Sequence, residues 1–320
     1  MADYKAIKGW TIQTVSSDPS NLVTGQVWYN STLGKLRGAK QVGAWASGGT
    51  ANTARNYPAG DGPQTACWAA GGEGSPAYRN EHEQYDGSSW TEVADLNTAR
   101  YSQYGAGTQA AGLIGGGLNA GGVSAVSEEW NGTSWTEGND LNTARQTGSY
   151  SGTQTAALAA AGGPATAVAE TYDGSSWTEV GDLNTARYYV KGSGTTTATL
   201  VAFGVNASNA VVGIAESYDG STWTEVADGN TARGYDTGSF GPSTDAMHAG
   251  GDTGPGSLAI VEAYDGSSWT EIADLNTGRR YNVGGGSSTA GITFFGHLSS
   301  RTATCEEWTK AATASNWDTT

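Results

Sequence analysis

The chain has 320 residues with 16 Lys and Arg against 31 Asp and Glu, a formal net charge of −15, and it is rich in glycine (49), tryptophan (12) and tyrosine (15). Such acidity disfavours nucleic-acid binding, which relies on clustered cations neutralising phosphates. The alanine, glycine and threonine in its longest uncharged stretches disfavour helices. Two cysteines, Cys67 and Cys305, exclude a disulfide framework and read as free buried thiols, and three scattered histidines (His82, His248, His297) lack zinc-ligand spacing. No stretch approaches the roughly 20 apolar residues of a membrane span, and the opening "MADYKAIKGW" has no apolar h-region, so a protein without membrane insertion, export signal, metal or cofactor is expected.

Residues 1–40 differ from the rest, with 5 basic and 2 acidic groups, whereas residues 41–320 carry 11 basic and 29 acidic ones. The first forty read as an extended arm ending in a hairpin, "QVWYN" and "GKLRG" around "STL".

From residue 41 a pattern recurs. Aligned on a Trp ten residues before an Arg, it gives six units: Trp45/Arg55, Trp90/Arg100, Trp135/Arg145, Trp177/Arg187, Trp223/Arg233 and Trp269/Arg279. Their spacings are 45, 45, 42, 46 and 46. A period in the forties marks a repeat architecture in which no unit buries its apolar face alone. After Arg100, "YSQYGAGT" and "AAGLIGGG" read as two strands, and after a variable loop "VSEEW" and "SWTEG" read as two more around the turn "NGTS". That turn is "DGSS" in most units, a hairpin signal because glycine takes the positive φ it needs. Four short antiparallel strands make a propeller blade.

Within each unit a glycine-rich strand end, such as Gly71-Gly72 or Gly250-Gly251, precedes Tyr or Trp (Tyr85, Trp130, Tyr172, Tyr218, Tyr264, Trp308), with a Trp five residues later in all but the last. This order resembles the kelch repeat over residues 45–308, with a tighter Tyr-to-Trp spacing and a single Gly in two units. The resemblance implies an all-β, six-bladed propeller over residues 41–320. Trp308 has no "DGSSW" after it and Trp45 no preceding Tyr, so the Trp45 strand is expected to join the last blade and close the ring. Trp317 is the competing candidate.

Two residues before each Tyr or Trp stands a glutamate: Glu83, Glu128, Glu170, Glu216, Glu262 and Glu306. Period-two geometry puts it on the aromatic's face. Six Arg and six Glu at fixed places read as six bidentate pairs, partly buried between first and third strands. A residue needed once for catalysis has no reason to appear six times, so these are read as structure and not as a catalytic ring. The same holds for the Trp and Tyr rows, and for the Asn of each "NTAR" loop (Asn52, Asn97, Asn142, Asn184, Asn230, Asn276), expected to bond nearby backbone.

Function is sought where the repeats differ. The variable loops, including "EGSPAYRN" and "HLSSRT", are expected on the "NTAR" face, and just inside it Tyr57, Tyr101, Tyr188, Tyr189, Tyr235, Arg280, Tyr281 and Asn282 form a candidate ligand site beside a central channel. Aromatics and amides there suit sugar or peptide recognition; packing that fills the channel is the plainer alternative. Enzyme readings fare worse. "YDGSSWTE" is similar to the sialidase Asp box, but Gly follows Asp directly; a copper-oxidase site needs a Tyr–Cys link and two His that the spacing does not offer.

In the arm, "GQVWYNSTLGKL" resembles the leaders of tailed-bacteriophage virion proteins that carry kelch-like repeats. That resemblance implies a non-enzymatic particle protein, of tail-fibre or decoration type, made in the host cytoplasm without a signal peptide. Its arm would meet other virion proteins, and its propeller would serve host-surface recognition or particle assembly through a glycan or protein. The alternatives are a stand-alone lectin and a glycan hydrolase.

Overall fold

The computed structural model describes residues 12–316 except Thr24, Pro76, Asp236 and Pro255. Among the described residues every regular element is a strand. Two units divide the chain, residues 1–44 with 309–320, and Trp45–Trp308. The division falls a few residues after the expected 40/41 boundary and assigns the C-terminal end to the N-terminal unit. The reason is that long strands, Lys35–Ser47 and Cys305–Asn316, run unbroken past those points.

In the N-terminal unit Val27–Asn30 pairs antiparallel with the start of Lys35–Ser47, the expected hairpin, and Gln13–Val15 adds a parallel strand. Asp18 organises it: Trp28 Nε1 and Asn30 Nδ2 donate to its Oδ1 at 2.9 Å each, and Arg37 lies 2.9 Å from Oδ2. The Asn30 and Trp28 hydrogen bonds, then the Arg37 charge, hold its carboxyl below the usual range.

The larger unit is built from four-stranded sheets of the kind a propeller uses. Sheet I holds Ala59–Asp61, Trp68–Glu73, Tyr78–Tyr85 and Trp90–Val93; sheet II holds Tyr104–Gly107, Gly112–Gly115, Ser127–Trp130 and Trp135–Glu137. Sheet III comprises Ser149–Thr153, Ala156–Gly162, Thr166–Tyr172 and Trp177–Val180 and is extended by Arg187–Tyr188 and Val205–Asn206, and sheet IV comprises Lys191–Thr195, Ala198–Ala202, Ala215–Tyr218 and Trp223–Val226. Sheet V contains Gly238–Phe240, Ala246–Ala249, Val261–Tyr264 and Trp269–Glu271. Sheet VI runs in the order Val283–Gly286, Ala290–Phe294, Cys305–Asn316, Lys35–Ser47. The innermost strands are neighbours in sheet order, and Val283–Gly286 returns to Ala59–Asp61.

The repeat letters explain the seam. In sheets I to V the third strand ends on an aromatic opposite the Trp that starts the fourth, as in Tyr85 against Trp90 with ring centroids 5.1 Å apart. In sheet VI the pair is Trp308 and Trp45, at 5.4 Å, from opposite ends of the chain. Gly48 N–H donates to the Cys305 carbonyl at 3.1 Å, and Trp45 Nε1 reaches Ala273 O in the preceding sheet at 3.0 Å. Trp317 lies outside the described residues. The Asp-Gly turns form as read: Gly87 has φ 92°, and Asp86 Oδ1 accepts the N–H groups of Ser88 and Ser89. Those bonds, the Ser89 N–H first, hold the Asp86 carboxyl down to about 2.

The two halves of each glycine pair do different work. The first position takes φ 59–80° and is Gly71, Gly116, Ala161, Phe203, Gly250 or Phe295; the second takes φ 96–134° and is always glycine. The first lies near the left-handed well that other residues can occupy at a cost, whereas the second lies where a Cβ is not tolerated. In sheets I, II, IV, V and VI that second glycine donates its N–H to the Arg carbonyl leading into the next sheet, as in Gly72 to Arg100 (2.8 Å) and, across the seam, Gly296 to Arg55 (3.1 Å). Where Phe stands first, its ring lies under an arginine: Arg233 over Phe203 at 3.9 Å and Arg55 over Phe295 at 4.5 Å.

All six arginines reach their glutamates: Arg55–Glu83 at 3.0 Å, Arg145–Glu170 at 2.6 Å, Arg187–Glu216 at 2.9 Å, Arg279–Glu306 at 2.8 Å, and the closer pairs Arg100–Glu128 and Arg233–Glu262. Two expectations need correction. The pairs are buried, not partly buried, and they are not bidentate, because one guanidinium nitrogen meets Oε1 while Oε2 accepts the Asn N–H and side-chain amide of the same "NTAR" loop. The Asn amide therefore does not serve its own turn. It spans to the glutamate and to the carbonyl of the fourth-strand Trp, as Asn97 does to Trp135 (3.0 Å) and Asn276 to Trp45 (3.3 Å). Burial pushes the guanidiniums of Arg55, Arg187, Arg233 and Arg279 below their ordinary range, opposed by the facing carboxylates.

Breaking one pair strands a buried charge. Arg145→Ala is expected to lower the unfolding free energy by about 3–5 kcal/mol in urea titration. The double variant Arg145→Met, Glu170→Leu recovers only part, because Asn142 then loses its acceptor. A loss below about 1 kcal/mol in the single variant would show that the arginine–glutamate–asparagine network does not hold the sheets together.

Burial also sets a pH dependence. The imidazoles of His82 and His248 are pushed down to about 3, by desolvation first and then by Arg55 and Arg233. Their folded pKa lies below the unfolded value, so the stability is present above about pH 6.5 and is lost as pH falls toward 3. Half-buried Asp61, raised by desolvation to about 6, has the opposite sign and gains stability as pH falls from 6 toward 3.8. Between about pH 6 and 4.5 the unfolding free energy should fall by about 1.4 kcal/mol per pH unit, one net proton, and His248→Gln should flatten that slope. A flat wild-type profile would contradict the buried neutral imidazoles.

Candidate functional site

Two residues after each repeat arginine the backbone turns left-handed, and none of the six is glycine: Tyr57 (φ 52°), Ser102 (57°), Thr147 (56°), Tyr189 (54°), Tyr235 (62°) and Tyr281 (58°). Such residues cost about 1–2 kcal/mol each and persist only when surroundings impose them. A main-chain relay links five of the six neighbouring pairs. Ser102 N–H donates to Tyr57 O (3.1 Å), Thr147 to Ser102 (2.9 Å), Tyr189 to Thr147 (2.6 Å), Tyr281 to Tyr235 (2.8 Å) and Tyr57 to Tyr281 (3.1 Å). The last link joins the first unit to the sixth.

This geometry gathers the tyrosines together. Tyr57 stacks on Tyr281 with centroids 4.0 Å apart and faces Tyr189, three units away, at 6.1 Å; Tyr101 stacks on Tyr78 at 5.6 Å. Above them opens a cavity of about 510 Å³ lined by Tyr57, Tyr101, Tyr189, Arg280 and Tyr281. Of the remaining candidates, Tyr235 packs against Tyr189 at 4.9 Å, and Tyr188 faces a second cavity with Asn209. Asn282 is a correction: it is fully buried and donates to Ala249 O and Thr293 Oγ1, because the strand entering sheet VI turns it into the core.

Sequence reasoning missed Glu73, His297 and Arg301, which also line the mouth. Each belongs to a loop flagged as variable, so the loops were legible but the inward-facing side chains were not. The mouth's cations are matched by carboxylates. Arg280 pairs with buried Asp252 and lies 5.0 Å over the Tyr281 ring; Arg301 sits 3.0 Å from Glu73, which also accepts from Asn56. Desolvation, then the Arg280 and Arg301 charges, lower the His297 imidazole below its ordinary value. Burial raises the Tyr101 and Tyr188 phenols. At neutral pH the mouth thus offers stacking faces, phenol donors and amides with little net charge. Among the described residues no group of His, Cys, Asp and Glu is placed to hold a metal ion.

No protein-family model and no curated protein matches this chain. Among solved structures, one titled "Structure of YjhT" superposes with a TM-score of 0.67 at 12% sequence identity, covering 83% of this chain and 99% of that one. At that identity the likeness concerns the fold alone.

If the relay imposes the left-handed backbone, relieving it at a side chain with no stacking role should stabilise. Thr147→Gly is expected to raise the unfolding free energy by about 0.5–1 kcal/mol, the αL cost less the entropy of glycine. A destabilised variant would mean that the Thr147 Oγ1 bond to Gln146 O outweighs the backbone strain.

Proposed function

We propose that the six sheets are the blades of a closed six-bladed kelch-like propeller, and that the chain is a non-enzymatic tailed-phage virion protein recognising the host surface through its tyrosine-lined mouth. The observation carrying the recognition reading is that cavity: left-handed residues recur in all six units, yet only some carry tyrosine, and the walls come from the loops that differ. Strained backbone held rigidly around a cavity suits a ligand clamp. The virion assignment rests on the "GQVWYNSTLGKL" resemblance alone, with the N-terminal segment as the attachment to other virion proteins. A stand-alone lectin would use the same mouth. The hydrolase reading is weaker, because the six recurring glutamates are buried in arginine pairs and Glu73 at the mouth is engaged by Arg301 and Asn56.

The test pairs proteomics of purified phage particles with binding of the recombinant chain to host cells. The protein is expected in particles and on cells, where it blocks phage adsorption, and Tyr101→Ala should weaken cell binding about tenfold with an unchanged unfolding midpoint. Cell binding without particle incorporation would move the assignment to the lectin. Absence of both would remove the recognition reading.

A further inference from the structure

The mouth cavity does not stand alone. Beside it lies a second of about 430 Å³, lined by Gln146, Thr147, Pro164, Tyr188, Tyr189 and Asn209 among others. Gln146 and Tyr189 line both, so one tyrosine forms the saddle between two hollows, each within the usual size range of ligand pockets. The saddle is braced on several sides. Tyr189 packs on Tyr188 and Tyr235 with centroids 4.9 Å away in each case, and faces Tyr57 in the first cavity.

The backbone under this saddle is also unlike its siblings. Elsewhere the segment after the repeat arginine meets its neighbour through a single isolated bridge, such as Asn56 to Glu73 or Arg280 to His297. Here Arg187–Tyr188 forms a strand, with Arg187 opposite Thr166 on one side and Arg187 and Tyr188 opposite Asn206 and Val205 on the other. Tyr188 OH donates to Asn209 Oδ1 at 2.9 Å, leaving the amide nitrogen as a donor at the rim.

We infer that the two cavities are consecutive subsites for one extended, uncharged oligosaccharide that crosses Tyr189. This rests on the recognition reading above and names its ligand class. The second cavity is lined by uncharged residues, and in the first both arginines have carboxylate partners. A charged ligand would therefore leave water without gaining an uncompensated counter-charge. A neutral sugar chain has what the walls can use: apolar ring faces for Tyr57, Tyr101 and Tyr188, and hydroxyls for Gln146, Asn209 and the Tyr101 phenol. A chain filling both hollows gains contacts that a short one cannot, at a single cost in lost translational freedom.

The experiment is a glycan array carrying neutral and anionic chains from monosaccharides to long oligosaccharides, with proline-rich peptides as further spots. It is probed with the full chain and its Tyr188→Ala, Gln146→Ala and Tyr101→Ala variants, each checked for an unchanged unfolding midpoint. The expected result is binding of long neutral chains, with mono- and disaccharides about tenfold weaker or worse. Tyr188→Ala should cost long chains about tenfold while sparing short ones, and Tyr101→Ala and Gln146→Ala, the latter lining both cavities, should weaken both. Equal binding of short and long neutral chains, insensitive to Tyr188→Ala, overturns the two-subsite inference while leaving recognition standing. Preference for anionic chains or for peptide spots overturns the ligand class. No binding to any spot overturns the inference, and host-cell binding then decides whether recognition survives.

Discussion

A carboxylate removed from water must be matched by donors from its surroundings, and in this chain that demand recurs six times. Each buried glutamate sits on the third strand of a sheet, while its arginine, its asparagine amide and an asparagine N–H come from the loop leading into that sheet. The loop is thereby locked across the strands it will join, and the same asparagine reaches the carbonyl of the outermost strand. Repeats of this kind are stable by contact with their neighbours, and here the first and last sheets also meet.

The seam shows how they do. Asn276, entering sheet VI, bonds the carbonyl of Trp45, some 231 residues earlier, and Gln64 at the tip of sheet I donates to Gly291 O and Trp308 O of sheet VI. The central relay adds Tyr57 N–H to Tyr281 O. Three independent sets of hydrogen bonds, at the rim, at the hairpin tips and at the axis, thus meet at the place where the chain is not covalently continuous.

The same rigidity explains why function belongs at the mouth. Where the units agree, side chains are largely consumed by each other: arginine by glutamate in all six, and tryptophan by a loop carbonyl in four, Trp45, Trp90, Trp223 and Trp269. The left-handed position after each arginine combines a recurring backbone with varied side chains, and there the units carry Tyr, Ser, Thr, Tyr, Tyr and Tyr. Tyrosines on four of the six positions, with Tyr101 and Tyr188 beside them, give the centre an asymmetric aromatic floor on a nearly symmetric frame.

The sequence by itself determined the repeat, its strands, its hairpin turns and the pairing of each Arg with a Glu, because these depend on short-range periodicity and on residues that recur at fixed offsets. It did not determine the carboxylate geometry. That Oε2 belongs to Asn and not to the guanidinium follows from how the loop crosses three strands, a distance of 28 to 32 residues that no local rule reaches. Nor did it locate the left-handed positions, since Tyr, Ser and Thr carry no signal for positive φ, and tertiary hydrogen bonding alone makes that conformation the better one. Asn282 was misplaced for the same reason: two residues past Arg280, one turn of the backbone decides between mouth and core, and only the packed neighbours settle which way it goes.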